Sequence, residues 1–485
     1  MNTPAPKLAE RAAAKSPDIR SITADSRQVS PGTLFVALPG VANDGRRFIA
    51  EAISRGAAAI LTDAEGAAPY ADAAVPVLVD PNPRRRLALM AAQLYSPQPA
   101  IVAAGTGTNG KTSTASFTRQ IWADAGQQAA SIGTLGIEGP EGLRPGAMTT
   151  PDPVTLHQAL AALAAEGIDH AVLEASSHGL DQYRLDGVRI TAGAFTNLTQ
   201  DHLDYHKTMA GYLAAKLRLF EHVLAPGGTA VLNADIPEFA EAAAVARAAG
   251  HPILDFGSNA GALRLIRRSG TPTGQRLDLE ILGRQRTIEL PLVGTFQAMN
   301  ALAALGLAIA TGIDPDRAID ALARLTGVRG RVELVATLAN GAAVFVDYAH
   351  TPAGLEQILT ALRPHAIGKL VVAFGAGGDR DPIKRPLMGA MCVRLADIQI
   401  VTDDNPRSEE PAAIRRAILA ACPGAIEIGD RALAIAHGIG LLEAGDVFVI
   451  AGKGHEQGQT VAGVVHPFDD ADVARTSIAA SGRRR

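Results

Sequence analysis

The segment Gly105-Thr106-Gly107-Thr108-Asn109-Gly110-Lys111-Thr112 fits G-x-x-x-x-G-K-[ST] at every fixed position, and Ser113 follows it. Glycines at these places let the backbone pass close to phosphate oxygens and turn successive N–H groups inward. Lys111 is then expected to neutralise the β- and γ-phosphates, and the Thr112 hydroxyl to ligate Mg²⁺. This implies a nucleotide site without saying what the nucleotide energises. A second set of residues offers acid, imidazole and amine groups. Glu174 closes an apolar run, where it could meet a metal beside Thr112 or serve as a plain surface acid. His202 and His206 are four apart and would share a face on a helix. That spacing suggests zinc, yet no third ligand stands at a suitable distance along the chain and the Glu of H-E-x-x-H is missing. Taken alone, Lys216 reads as a solvated lysine on a helix.

The elements that must position these groups fall into three blocks. The first, residues 1–98, holds short β-like runs at Thr33–Leu38, Ala59–Thr62 and Val77–Val79, and closes on the Pro-rich linker Ser96–Pro99. The second, 99–329, opens with the apolar run Ile101–Ala104, then the glycine-rich turn and a helical pattern from Lys111 to Ala125. Ala171–Leu173, Gly193–Phe195 and Thr229–Leu232 are further strand candidates. Their alternation with helices predicts a parallel sheet covered on both faces. The third, 330–485, alternates Ala343–Val346, Leu370–Phe374, Ile398–Val401 and Val447–Ile450 with helical patterns, which predicts a second doubly wound domain. The fold class expected is therefore α/β with three domains: a central P-loop ATPase-like parallel sheet and a C-terminal Rossmann-like domain. No repeat of fixed period is present.

Composition bounds the function. A chain of 485 residues exceeds one ordinary core. Hydrophobic residues make up 47% and charged residues 19%, as in a soluble globular protein. A net charge of −4 gives no bulk attraction to nucleic acid or anionic membrane. Cys392 and Cys422 lack metal-ligand spacing and read as buried thiols of a reducing cytosol. Met1–Ile19 carries no run of signal-peptide length, and no stretch reaches the length of a membrane span. A cytoplasmic monomer without membrane insertion is expected. Phe239–Ala249 reads as a surface helix, and Arg483, Arg484 and Arg485 as a frayed tail.

The loop continues Gly107-Thr108-Asn109-Gly110-Lys111-Thr112-Ser113, and in this form it resembles the Mur ligase and folylpolyglutamate synthetase superfamily. Other segments agree in order: Glu174 to His178, Asn197 to His206, Ala215-Lys216, Gly294 to Asn300, Gly330-Arg331, Asp347 to His350, and Gly452 to Glu456. The likeness runs from Asp25-Ser26-Arg27 to Phe468-Asp469-Asp470. Asp25-Ser26-Arg27, Thr149-Thr150-Pro151 and Asp404-Asn405-Pro406-Arg407 narrow it to those Mur ligases that extend a UDP-linked muramoyl dipeptide with meso-diaminopimelate. Two positions depart: Met148 stands where the family often has Asn, and Ser113 where Thr is usual.

The resemblance implies a reaction and roles. ATP phosphorylates a carboxylate, and an amine then displaces phosphate from the acyl phosphate through a tetrahedral intermediate. Cell-wall peptidoglycan synthesis is the setting it implies, with its ties to cell shape, division and the cell cycle. Lys111, His202 and Lys216 become catalytic. Two Mg²⁺ ions are implied on Thr112, Glu174, His202 and Lys216, the last carbamylated by CO₂; this requires a neutral amine, so burial and nearby cations should depress Lys216. His206 is then structural. Asn300 is expected at the adenine, Arg331 near the γ-phosphate and Asp347 on the ribose, with His350 left to packing. Ser26, Thr149, Thr150, Ser176, Gln182 and Arg184 are expected to contact the UDP substrate. Arg380, Asp404, Asn405, Pro406, Arg407, Gly452 and Glu456 would read the amino acid. A guanidinium at Arg407 clamps a distal carboxylate but is left unpaired by lysine, while Glu456 meets the distal ammonium. A lysine-adding relative, a folylpolyglutamate synthetase, a P-loop kinase and a non-catalytic nucleotide-binding module are the alternatives. The third block and the His202 and Lys216 segments fit a kinase poorly, and the number of acids, histidines and lysines near the phosphates fits a non-catalytic module poorly.

Overall fold

The structure is a computed structural model, and residues 18–40, 44–146, 148–271 and 274–482 are described. Three main sheets follow one another along the chain. The first has four parallel strands, in the order Ser21–Thr23, Thr33–Val36, Ala59–Thr62 and Val77–Val79. Its inner residues alternate between two faces. Leu34, Val36 and Leu61 pack on Leu87 and Ala91 of the helix Pro83–Leu94, whereas Phe35 and Ile60 pack on Ile49 and Ala52 of the helix Ile49–Ser54. Residues 96–99 then pass to the central sheet and are pinned there: Gln98 Nε2 donates to the Gly187 carbonyl at 3.3 Å, and Arg189 N donates to Gln98 Oε1 at 3.0 Å.

The central sheet has eleven strands. Ile101–Thr106 lies at its heart, parallel to Ile190–Phe195 on one side and His170–Glu174 on the other. Both faces are covered, which is why small and apolar residues fill the middle strands. Ala103, Val172 and Ala194 face the helices Lys111–Asp124 and Thr295–Ala310, while Val102, Ala104 and Leu173 face Pro153–Ala165. The helix Phe239–Ala248 matches its expected span, but it turns Ala242, Ala243 and Ala246 into the core. The expectation of a parallel sheet holds for the middle strands and misses its extensions. Leu263–Thr271, Gly274–Ile281 and Arg284–Leu290 add an antiparallel arm at one edge, and Gly136–Gly139 with Gly142–Arg144 add one at the other.

The third sheet has six strands, parallel except for the edge strand Glu333–Thr337. Phe345, Val372 and Val449 pack on one layer of helices, and Val346, Val371 and Ile450 on the other. Cys392 and Cys422 are free and buried there, and burial pushes both thiols up. Among the described residues no helix is long and apolar enough to cross a membrane. The expected signal-free segment lies mostly, and the arginine tail wholly, outside the described residues.

Candidate active site

The phosphate loop leaves the end of Ile101–Thr106 and enters the helix Lys111–Asp124. Gly107 sits at φ +147°, and a Cβ there would lie 2.0 Å from Thr196 Oγ1. Only glycine fits, because the segment after the strand Ile190–Phe195 braces the loop from outside. Thr108 N donates to the Asn197 carbonyl at 2.9 Å, Asn109 N to Asn197 Oδ1 at 2.9 Å, and Thr196 Oγ1 to the Asn109 carbonyl at 2.6 Å. The loop is legible in the sequence and this brace is not, although its Asn197 opens the segment Asn197 to His206.

Two lysines converge on one backbone oxygen. Lys111 Nζ donates to the Gly107 carbonyl at 3.0 Å and to Thr108 O at 2.9 Å, and Lys216 Nζ donates to the same Gly107 carbonyl at 2.7 Å. Lys216 is 1% exposed, as the resemblance implied and unlike the solvated lysine its helical pattern suggests when taken alone. Burial pushes its ammonium well below the ordinary lysine value, and neighbouring Lys111 lowers it further. Its Nζ also lies 4.3 Å from the centre of the Tyr212 ring. Burial pushes the Tyr212 phenol up to about 12.

Glu174 ends its strand and is buried. Thr112 Oγ1 donates to Glu174 Oε2 at 3.0 Å, and Thr134 N donates to Glu174 Oε1 at 2.8 Å. Thr134, which sequence reading missed, fixes the carboxylate from the far side. The adjoining hydroxyl and carboxylate are hard oxygen donors, the set a Mg²⁺ ion prefers. The second expected ion has no such ready set. His202 is exposed, sits at φ +53° and contacts Asp201 at 3.4 Å. It caps the short helix Leu203–His206 rather than lying within it, so the shared helical face expected for His202 and His206 does not exist. Both rings instead flank His178, at centroid distances of 4.9 and 5.4 Å, and His206 Nε2 pairs with Ser177 Oγ at 3.0 Å. His202 and Lys216 still lie against one ring, that of Tyr212. Among the described residues no group of three His, Cys, Asp or Glu is arranged to hold a metal.

Asn300 is buried against the loop: a Cβ on Gly110 would lie 2.3 Å from its Oδ1, while its Nδ2 donates to Gln297 Oε1 at 3.0 Å. Asp347 accepts Val332 N and Ala349 N, each at 2.8 Å. Burial raises its carboxyl. The Arg331 guanidinium stacks over Tyr348 at 4.7 Å. His350 Nδ1 pairs with the Tyr348 carbonyl at 2.9 Å.

On the other side of Glu174, Thr150 Oγ1 donates to the Glu174 carbonyl at 2.6 Å and accepts from Ser176 N at 3.0 Å. Thr149 pairs with Thr134 through their hydroxyls at 3.0 Å. Arg184 Nη1 donates to the Thr150 carbonyl at 2.7 Å. Gln182, Arg184 and Met148 line a cavity of about 580 Å³, whose opposite wall carries Asp25, Gln28 and Arg84 of the first block. Met148 offers a sulfur to Arg184 at 3.5 Å where an amide was expected. Ser26 is buried nearby, with its hydroxyl on Glu51.

In the third block, Asp404, Asn405 and Pro406 are buried and Arg380 is exposed. Arg407 sits at φ +54° and donates from Nη1 to the Gly378 carbonyl at 2.7 Å, a bond that orients the guanidinium and leaves its other N–H donors for a ligand. Gly452 packs on Asp404: a Cβ there would lie 2.5 Å from Oδ2. Glu456 Oε2 accepts from Asn405 Nδ2 at 2.8 Å and from Lys453 Nζ at 3.2 Å. Lys453 was not singled out from the sequence, although it lies inside the quoted 452–456 segment.

Three family profiles cover most of the chain: "Mur ligase family, catalytic domain" over 18–95, "Mur ligase middle domain" over 106–308, and "Mur ligase, glutamate ligase domain" over 330–454. A UDP-N-acetylmuramoyl-L-alanyl-D-glutamate--2,6-diaminopimelate ligase of Caulobacter vibrioides is 52% identical, with 98% of each chain covered. The chain belongs to the Mur ligase family. A Bradyrhizobium diazoefficiens protein of the same name is 52% identical over 95% of both chains. Among solved structures, a ligase of that name superposes on this Mur ligase with a TM-score of 0.73 at 34% identity, covering 96% of this chain and 95% of the other. A Thermotoga maritima MurF ligase in complex with ADP shares the fold at TM-score 0.62 and 20% identity, covering 91% and 96%.

Proposed function

We propose that this Mur ligase joins meso-2,6-diaminopimelate to UDP-N-acetylmuramoyl-L-alanyl-D-glutamate at the expense of ATP, a step of peptidoglycan synthesis. The observation that carries the reading is the meeting of Lys111, Thr112, Glu174 and Lys216 around the Gly107 carbonyl and its neighbouring strand ends. The names of relatives at about half identity support the same substrates.

Joining a carboxylate to an amine in water is uphill, and the carboxylate that receives the phosphoryl group and the ATP that gives it are both anionic. In this reading Lys111 leaves the loop carbonyls and takes the β- and γ-phosphate oxygens. Two Mg²⁺ ions would neutralise the charge that develops on those oxygens, held by Thr112 and Glu174 and by His202 with a carbamate on Lys216. The depressed amine of Lys216 supports that modification, since a neutral amine is what attacks CO₂. Arg184, Gln182, Thr149, Thr150, Ser176 and Ser26 hold the UDP-linked dipeptide along the cavity between the first two blocks. The dipeptide's terminal carboxylate takes the γ-phosphoryl group, the amine of diaminopimelate attacks the acyl carbon, and phosphate leaves. Asn300, Arg331 and Asp347 hold the nucleotide. Arg380, Asp404, Asn405, Pro406, Arg407, Gly452 and Glu456 hold the amino acid. The chain is taken to work as a monomer in the cytoplasm, with domain limits near 98 and 329.

One assay tests this. The protein is given ATP, Mg²⁺ and the UDP-linked dipeptide, then either meso-diaminopimelate or L-lysine, and ADP is measured. Amino-acid-dependent release that strongly favours diaminopimelate is expected. Equal use of lysine would remove the narrower reading, and release that ignores both amino acids would remove the ligase itself.

A further inference from the structure

Lys453 is 0% exposed, and nothing in the proposed reaction uses it. It follows the buried strand Val447–Ala451. Its ammonium donates to Asn405 Oδ1 at 3.1 Å and to Glu456 Oε2 at 3.2 Å. Asn405 closes the triangle by donating from Nδ2 to that same Glu456 oxygen at 2.8 Å, while its Oδ1 also accepts Thr460 N at 2.9 Å. Both donors to Glu456 meet Oε2, and among the described residues none meets Oε1. The Glu456 side chain is 33% exposed, so one carboxylate oxygen is fixed inside and the other is open.

The neighbouring charges do not explain the lysine. Arg431 and Asp470 are each 0% exposed and close on each other with two hydrogen bonds of 2.7 Å. Arg431 also donates to the Ala451 carbonyl at 3.0 Å, and Asp404 stands beside it across Gly452. Lys453 is thus the cation hydrogen-bonded to Glu456, and its charge also bears on the nearby Asp470. Burying an ammonium is costly in lost solvation, and an apolar side chain of similar length fills such a space as well or better. The charge must therefore matter at the open carboxylate.

We propose that Lys453 sets amino-acid specificity by cancelling the charge of Glu456, so that the pocket takes a zwitterionic side-chain end and turns away a lone ammonium. The inference rests on the reading that Glu456 contacts the incoming amino acid. A lone carboxylate in a half-buried pocket attracts any ammonium, lysine's included. With Lys453 at 3.2 Å, an incoming ammonium meets a largely cancelled field and a like charge close by. The distal end of diaminopimelate has no net charge, so it is not repelled. Its ammonium needs only the open Oε1 as an acceptor, and its carboxylate has Arg407.

The test compares kcat/KM for meso-diaminopimelate and L-lysine in the full-length protein and in Lys453→Met, with the KM for ATP as a control. The preference for diaminopimelate is expected to fall about tenfold or more in the variant, with ATP handling unchanged. The variant's use of lysine should also weaken as salt is raised. A preference equal to the wild type's, with both amino acids slowed alike, would overturn the proposal and leave Lys453 a packing residue. Should Lys453→Met not fold, Lys453→Gln decides: it removes the charge while keeping a polar side chain beside Asn405 and Glu456, so the preference must fall, and an unchanged preference overturns the idea. Diaminopimelate-dependent ADP release by the wild type is read separately, so loss of the ligase reading and loss of the specificity reading give different results.

Discussion

The Gly107 carbonyl accepts from two lysines, and this has a pH consequence. Lys216 loses its proton more readily in the folded chain than in the unfolded one. From its lowered folded value up to the ordinary lysine value, the unfolded chain holds a proton that the folded chain has released. Folding therefore gains stability as pH rises through that window and loses it as pH falls. Lys216→Met should flatten this slope in urea titrations at a series of pH values. The same variant should lose about 100-fold or more in kcat. In the wild type, ¹³C-bicarbonate should give a carbamate NMR signal that the variant lacks. A wild type with no such signal and no response of activity to bicarbonate would remove the carbamate from the reading. The helical pattern around Lys216 carries no mark of its depth; only the family motif pointed to burial.

The phosphate loop works only because separate elements press on it. The strand Ile101–Thr106 supplies its start and the helix Lys111–Asp124 its end, and Thr196 and Asn197 close the outer side. Gly107→Ala brings a methyl to within 2.0 Å of Thr196 Oγ1 at a φ of +147°. Moving either partner shifts Lys111. The substitution should cost about 1–3 kcal/mol of stability. It should cost about 100-fold in activity through the misplaced loop. Thermal unfolding with ATP kinetics checks both, and wild-type turnover by Gly107→Ala would refute the brace. The loop itself was legible as a motif, as were the strands and helix that carry it. The brace, Thr134 and Tyr212 were not, since each acts through contacts far along the chain and none belongs to a chemical pattern of its own.

At the level of the whole chain, the nucleotide-end cluster sits on the central sheet, and Asn405, Lys453 and Glu456 sit on the third. Between them lies a junction at Gly330, φ +66°, where a Cβ would come within 2.2 Å of His455 N. Arg329 of the central block, paired with Asp469 of the third, ties the two parts beside it. The acyl phosphate and the amine must come within bonding distance, so the third block is expected to swing onto the central one about this junction. Small-angle scattering should show a smaller radius of gyration with a non-hydrolysable ATP analogue, Mg²⁺ and the UDP-linked dipeptide together than with no ligand. An unchanged radius would place the two halves in working position from the start.

Alternating apolar runs, the glycine-rich turn and a series of short motifs were enough to read three α/β blocks, a phosphate-binding loop and the Mur ligase family, because these depend on local spacing. The antiparallel arms at 136–144 and 263–290 escaped, since a short alternating strand looks alike whichever way its neighbour runs. The folded chain alone revealed that Lys453 is buried, that Lys216 shares the Gly107 carbonyl with Lys111, that His202 caps a helix rather than joining it, and that Glu456 is already paired. Burial and pairing depend on what distant strands bring near, and that is settled by packing rather than by order along the chain.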